Sequence, residues 1–294
     1  MKISFRNYAR VPGFSEDYFK VRSFIVKLAD DYYTFARWDH TVIHSDSNAL
    51  SRIGLWELGD EVVGMAIFDM QPGRAYCFTM RGYEYLWGEI LSYARQSLNQ
   101  DGTSEVLIAD TDAMFQEIAA RDGYTATEQK ASVAGLAVHN ADLTYRLPDG
   151  FTVTSMKETF DLERFAKVLH IVLNHRFGSE EFVFTPERER TYRQLLLRPN
   201  VDLSLIIAVV APNGDFASLC SLMYEPKQQT AMAVTVGTDP AYRGLGLAKA
   251  GMREGIARCA AAGAARILAS SLQPFYYSIG FRPYSNYSWW RVQG

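Results

Sequence analysis

Residues 230–248 read Thr-Ala-Met-Ala-Val-Thr-Val-Gly-Thr-Asp-Pro-Ala-Tyr-Arg-Gly-Leu-Gly-Leu-Ala. Thr230 to Val236 is a run rich in β-branched residues, which predicts a strand. Gly237-Thr238-Asp239-Pro240 ends it. A helix is predicted from there to about Ala262, with Met252, Ile256 and Ala260 at helical spacing. The first N–H groups of a helix lack intrahelical acceptors, and the helix dipole favours negative charge beside them. A pyrophosphate resting on those groups needs close backbone approach, where Cβ atoms obstruct; Gly244, Gly246 and the small Ala248 meet that need. Arg243 stands where a fixed charge neutralises phosphate or anchors the turn.

Other phosphate loops fit less well. A Walker A loop ends in Gly-Lys-Ser/Thr, where this chain has Gly-Leu-Ala-Lys. A dinucleotide fingerprint wants a small residue at position 249, which is Lys249, and a strand with an acidic end about 20 residues on.

Outward from this stretch, the chain repeats itself. Ile3-Ser4-Phe5 and Phe151-Thr152-Val153-Thr154 each open a half as a short strand, the second after the turn Leu147-Pro148-Asp149-Gly150. Asp161 to Arg176 then places Leu162, Phe165, Ala166, Leu169, Val172 and Leu173 on one helical face. Thr185-Pro186-Glu187 starts another helix, a hydroxyl N-cap followed by Pro. Hairpins follow around Gly59-Asp60-Glu61 and Asn213-Gly214-Asp215. Val106-Leu107-Ile108-Ala109 leads to Gly123-Tyr124, and Ile267-Leu268-Ala269 leads to Gly280-Phe281. Matching points lie 148, 155 and 157 residues apart along the chain. Each half thus reads strand, helices, three strands, helix, strand, helix, strand. The expected fold class is α+β, two tandem domains at 1–145 and 146–294, each a mixed, mostly antiparallel sheet flanked by helices.

Pro-x-Tyr-Arg-Gly-x-Gly-x-Ala after a strand resembles motif A of the GNAT acetyltransferase superfamily, whose Arg/Gln-x-x-Gly-x-Gly/Ala signature falls on Arg243, Gly246 and Ala248. The segment Phe275 to Phe281 resembles the same family's Tyr-x-x-x-Gly-Phe element. The resemblance implies acetyl-CoA as cosubstrate, with no metal. The backbone around Val236 and Thr238 would pair with the pantetheine arm, and the amides of Leu245, Gly246, Leu247 and Ala248 would hold the pyrophosphate. Tyr276 matches the family's usual general acid.

Transfer to an amine requires loss of a proton from nitrogen, a donor for the oxyanion, and a proton for the leaving thiolate. A backbone N–H near Val236 is the oxyanion candidate, because splayed strands expose unpaired donors. A phenol, ordinarily near pKa 10, is close enough to a thiol, near 8.5, to serve as acid. The strand 230–236 carries no Glu or Asp for a base. Glu225, His170, His175, a water chain or the carboxylate of Gly294 remain open as the base. The implied reaction is direct acetyl transfer in a ternary complex to an amine, expected to be that of a small molecule. A non-catalytic acetyl-CoA or CoA binding module, and a protein lysine or N-terminal acetyltransferase, are the alternatives.

In the first half the phosphate loop should recur near Arg81-Gly82-Tyr83-Glu84. There a carboxylate replaces the second glycine, and Tyr83 and Tyr85 crowd the approach. Residues 1–145 are therefore expected to be a degenerate copy without a cofactor site, a two-copy layout similar to that of mycothiol synthase. The aromatic run Tyr32 to His40 is read as interdomain core, with a wall of the acceptor site as the alternative, and the run Tyr284, Tyr287, Trp289, Trp290 as a packed edge strand. Gly251 and Gly255, four apart on one helical face, point to close packing on the sheet.

Bulk properties agree. The chain has 294 residues, 48% hydrophobic and 21% charged, with formal net charge −3, which fits a folded globular protein. The absence of a global basic field argues against nucleic-acid or anionic-membrane partners. Residues 1–145 hold 13 Lys+Arg against 20 Asp+Glu, and residues 146–294 hold 17 against 13. Cys77, Cys220 and Cys259 have neither disulfide nor zinc-ligand spacing and read as core residues. No secretory h-region and no membrane-length apolar run is present, so a cytoplasmic protein is expected. The oligomeric state is not encoded in any motif.

Overall fold

The computed structural model describes residues 2–11, 13–99, 102–174 and 182–293. Two compact units emerge: one made of Met1–Val133 with Tyr284–Gly294, the other of Ala134–Pro283.

In the first unit, β1 (Ile3–Asn7) leads to α1 (Glu16–Leu28), α2 (Phe35–His44) and the short α3 (Ser47–Leu50). Next come β2 (Gly54–Leu58), β3 (Glu61–Asp69) and β4 (Gln71–Thr79), then α4 (Trp87–Ser97), β5 (Thr103–Ala109), α5 (Ala113–Arg121) and β6 (Thr125–Ala137). The second unit repeats this order with β7 (Thr152–Ser155), α6 (Leu162–Asn174), α7 (Pro186–Leu196), β8 (Ile206–Val210), β9 (Phe216–Glu225), β10 (Thr230–Thr238), α8 (Leu247–Ala261), β11 (Arg266–Ala269) and α9 (Pro274–Ser278). β12 (Arg282–Gln293) closes the series. The expected α+β fold and internal repeat are thus met element by element. No helix among the described residues is long and apolar enough to cross a membrane.

Local chemistry explains the helix starts. Ser15 caps α1 by accepting from the Tyr18 N–H, with Glu16 and Asp17 in the first turn. Thr185 caps α7 by accepting from the Arg188 N–H, with Pro186 at the first helical position, as the sequence signals required.

Within the first unit the strand order is β1-β2-β3-β4-β5-β12-β6. Tyr287 to Gln293 pair antiparallel with Ala109 to Thr103. On the other flank, the Thr127 and Lys130 side chains hydrogen-bond the Trp289 carbonyl and the Ser288 hydroxyl. This corrects the reading of the C-terminal aromatic run as an edge strand: β12 is an interior strand, and Trp289 and Tyr287 are buried because strands flank them on both sides. The run Tyr32 to His40 lies in the core of this unit, with Tyr33, Phe35 and Trp38 fully enclosed. Asp39 is enclosed too and accepts from the Tyr18 hydroxyl.

Within the second unit the order is β6-β11-β10-β9-β8-β7, β6 contributing Ala134 to Ala137 beside β11. The units do not divide at residue 145. Residues 141–145 run along α8: Leu143 packs on the core, Arg253 pairs with Asp142 at 2.6 Å, and the Tyr145 hydroxyl donates to Glu254 at 2.9 Å. The core joins Ile207, Leu222, Met252, Ile256, Ile267 and Phe281 between sheet and α8. A Cβ on Gly251 would lie 3.0 Å from the Cys220 sulfur, and one on Gly255 would lie 2.4 Å from Leu222 Cδ1. The two glycines therefore let α8 rest directly on β9, a gain in packing that offsets their cost of about 1 kcal/mol each in a helix interior.

Candidate active site

β10 pairs with β11 in parallel only from Thr230↔Arg266 to Met232↔Leu268. With β9 it pairs antiparallel as far as Thr238↔Ser218, through a bulge at Val234 between Ala233 and Thr235. Past Met232, β10 is therefore held on its β9 side alone. Bulges re-aim the residues that follow and end pairing, so Thr235 to Thr238 present a strand edge without a β11 partner. Val236 and Thr238, singled out in the sequence, both lie there, and β10 runs two residues beyond the predicted end. The Ser218 hydroxyl fixes this edge by donating to the Gly237 carbonyl at 2.8 Å and meeting Thr238 Oγ1 at 3.1 Å.

The chain then turns. Asp239 accepts from the Ala241 N–H at 2.8 Å and starts a 3-10 turn over Pro240–Tyr242. The Tyr242 ring packs on Phe151, and its hydroxyl accepts from Asn213. Arg243 is exposed, and its Nε donates to the Thr238 carbonyl at 3.4 Å, the turn-anchoring role. Gly244 and Gly246 follow at φ +80° and +76°, and nothing lies within 4 Å of a Cβ built on either. A side chain there would be strained and would fill the open space above the loop.

Gly246 caps α8 without any side-chain acceptor. The first intrahelical bond runs from the Ala250 N–H to the Gly246 carbonyl. None of the N–H groups from Gly244 to Lys249 donates to a partner among the described residues. Leu245 is exposed, whereas Leu247 is buried beside Val209 and Ala217 and pins the helix start to the sheet. Leu247 therefore offers a ligand its amide, not its side chain. An uncapped helix start, two left-handed glycines and a free cradle above them fit a pyrophosphate.

Tyr276 lies on α9, half-buried, and its ring meets Phe281 at 5.3 Å and Phe275 at 5.2 Å. It packs against the same core cluster as Val236, which also holds Cys220, the register partner of Val236. Its hydroxyl has no hydrogen-bond partner among the described residues, and burial pushes its pKa up to about 12. The phenol therefore stays protonated throughout the neutral range.

The base candidates fare differently. Glu225 sits at the other end of β9, opposite Thr230, and accepts from the Lys227 N–H. His170 packs on the Phe182 ring at 5.3 Å. His175 and Gly294 lie outside the described residues. Sequence reasoning missed Gly237, where a Cβ would come 2.6 Å from Val172 Cβ on α6; its only signal was a glycine inside a strand pattern. All three cysteines are buried, and burial pushes the Cys220 and Cys259 thiols up to about 12. No group of three or more metal-ligating side chains occurs among the described residues.

At the matching place in the first unit, Gly82 is also left-handed, at φ +91°. There both oxygens of the Glu84 carboxylate accept from the Gly82 N–H at 2.9 Å. That bond, with the Glu84 amide, holds the carboxyl below its ordinary pKa. A carboxylate of the chain itself occupies the amide that an anionic ligand would need.

Residues 169–281 match the model of the acetyltransferase (GNAT) family. No curated protein matches the chain. Among solved structures, the fold is similar to an acetyltransferase of the GNAT family from Colwellia psychrerythraea, at TM-score 0.63 and 10% identity, covering 100% of both chains. It is also similar to a tandem GNAT protein from the clavulanic acid biosynthesis pathway, at TM-score 0.61 and 12% identity over 99% of this chain and 98% of that one. A GCN5-related N-acetyltransferase from Sphaerobacter thermophilus matches at TM-score 0.58 and 13% identity, over 99% and 95%. The match to the acetyltransferase (GNAT) family thus falls within the second unit, and the chain as a whole shares its fold with these structures, a tandem GNAT protein among them.

Proposed function

We propose that the second unit transfers an acetyl group from acetyl-CoA to the amine of a small molecule, by direct attack in a ternary complex. The observation that carries this reading is the run of unpartnered amides from Gly244 to Lys249 at the foot of a strand edge freed after Met232. Arg243, Gly244, Leu245, Gly246, Leu247 and Ala248 surround the pyrophosphate, and the Val236 and Thr238 backbone takes the pantetheine arm as a further strand. The amine nitrogen attacks the thioester carbon, and the carbon–sulfur bond breaks as the amide bond forms. The nitrogen's proton leaves to solvent or a base, and the Tyr276 hydroxyl donates a hydrogen bond to the departing thiolate. At about 12 its pKa lies above that of a free thiol, so Tyr276 assists by a strong hydrogen bond and by proton return from water, in the form that is populated at neutral pH.

The first unit is read as a companion without a CoA site, because Glu84 fills the matching amide.

Calorimetric titration with acetyl-CoA, followed by thiol release over a panel of polyamines, aminoglycosides, amino acids and basic peptides, tests the reading. Binding at one site per chain with thiol release for a small amine is expected. Binding without release for any amine leaves a binding module, and release only with peptides makes the acceptor a protein; either outcome replaces the proposal.

A further inference from the structure

The first unit contains a cavity for which acetyl transfer has no use. β4 and β5 run parallel in register only at Arg74↔Glu105 and Ala75↔Val106. Beyond these pairs a cavity of about 320 Å³ opens between Tyr76–Thr79 and Leu107–Ala109. In the repeat it is the counterpart of the gap beside Val236, but its wall has different chemistry.

Asp30, Asp31 and Asp112 line the cavity, and no Lys, Arg or His does. Asp30 is fixed in place: Oδ1 accepts from the Tyr32 and Tyr33 N–H groups, and Oδ2 from the Tyr287 hydroxyl at 3.2 Å. Asp112 is fixed as the N-cap of α5, accepting from the Phe115 N–H. Burial raises the Asp30 carboxyl above its ordinary value, although its three hydrogen bonds and the Arg37 charge pull the other way, and a further cation beside it favours the ionised form. Rings form the rest of the wall. Trp87 and Phe115 stack at 3.8 Å and 13°, with Tyr76, Phe78 and Tyr287 around them. Tyr76 and Thr79 line the cavity too, and neither hydroxyl has a hydrogen-bond partner among the described residues. Both hydroxyls therefore keep room for a hydrogen bond with a ligand or water in the cavity.

We propose that this cavity binds a small organic cation, its ammonium group drawn to the acidic wall that Asp30, Asp31 and Asp112 give the cavity and its apolar body among the aromatic rings. Carboxylates draw the charge, ring faces attract it further, and the hydroxyls of Tyr76 and Thr79 accept the remaining N–H bonds. An anionic ligand meets like charge here, which separates this cavity from the phosphate cradle of the second unit. The inference stands whether or not the second unit transfers acetyl groups.

The test uses the full chain without acetyl-CoA, titrated calorimetrically with 2-phenylethylammonium, 2-phenylethanol and 3-phenylpropanoate. Saturable binding of the ammonium, at least tenfold tighter than the alcohol and with no binding of the carboxylate, is expected. Asp112→Asn keeps a good helix cap, so it should fold, and it should weaken the ammonium at least tenfold; Asp31→Asn should do the same. Equal affinity for the alcohol, or no saturable ammonium binding, overturns the proposal. Ammonium binding that survives both substitutions belongs to another site and overturns it as well.

Discussion

A Cβ built on Gly237 of β10 would lie 2.6 Å from Val172 Cβ on α6, so these two residues meet with no room for a methyl group between helix and strand. The contact sets the distance of α6 from the strand edge that bears Val236 and Thr238. Gly237→Ala should therefore cost about 1–3 kcal/mol through overpacking. Val172→Ala in the same chain should restore part of that loss, because it removes the atoms in conflict. Urea unfolding of the two single variants and the double variant checks this; strict additivity would show that the two positions do not share the strain.

The phosphate cradle predicts a sharp response at Gly246. Its φ of +76° disfavours any side chain, and a Cβ there points into open space. Gly246→Glu adds a carboxylate where the pyrophosphate belongs, and should weaken CoA binding on the order of 100-fold or more. Gly246→Ala should cost less, since it adds strain without charge. Calorimetry supplies the affinities and near-ultraviolet circular dichroism the check on fold; unchanged affinity in Gly246→Glu would remove the site from this loop.

For Tyr276 the sign of the pKa shift decides the pH behaviour. Burial lifts the phenol from about 10 to about 12, so its neutral form persists to roughly pH 11 and no alkaline limb from this group should appear below that. The stability gained from burying the neutral phenol should be lost as pH rises from about 10 through about 12. Tyr276→Phe should lower kcat on the order of 100-fold with little change in KM for acetyl-CoA. A kcat within a factor of three of the parent would make Tyr276 a core aromatic only.

Asp17 offers an acid-side counterpart in the first unit. Burial works to raise its pKa, but two bonds from Arg6, each 2.8 Å, and one from the Ala9 N–H at 2.7 Å overcome that and lower it. The stabilisation is present above the unfolded carboxyl value, near 3.9, and should be lost as pH falls through the lower folded value. Arg6 also holds Glu57, so Arg6→Met should destabilise the unit by about 1–3 kcal/mol at pH 7. Unfolding midpoints across pH 2–7 test both statements; a parent profile flat below pH 4 contradicts the first.

Stoichiometry follows from Glu84. With its carboxylate on the Gly82 N–H, one acetyl-CoA per chain is expected. Two equivalents in the calorimeter would show that the first unit kept a working cradle.

Much of this was legible in the sequence because turns and glycines are local. Gly244 and Gly246 announce the left-handed turn, Thr185-Pro186 announces its helix, and the repeated order of hairpin, helix and Gly-aromatic announces two copies of one fold. Strand partners are not local. The aromatic run of β12 suits an edge or an interior strand equally, and nothing in Tyr284 to Trp290 says that β5 is its neighbour. The Gly237–Val172 contact, the Asp142–Arg253 pair and the cavity lined by Asp30, Trp87 and Phe115 each join distant segments, and only the folded chain brings them together. The general base is not legible, because Glu225 is near in sequence to a strand whose site end lies elsewhere.

The membership of β12 in the first unit bears on how the protein is made. A ribosome releases Val133 about 150 residues before Tyr284, a delay of roughly ten to thirty seconds at ordinary elongation rates. Through that interval the nascent first unit has every strand but the one that lies between β5 and β6, and it presents unpaired backbone on both. Such edges invite pairing with other chains. The second unit is made during that interval and is complete once Pro283 is added, so the half begun first is the half that finishes last, and its open edges need shielding the longest.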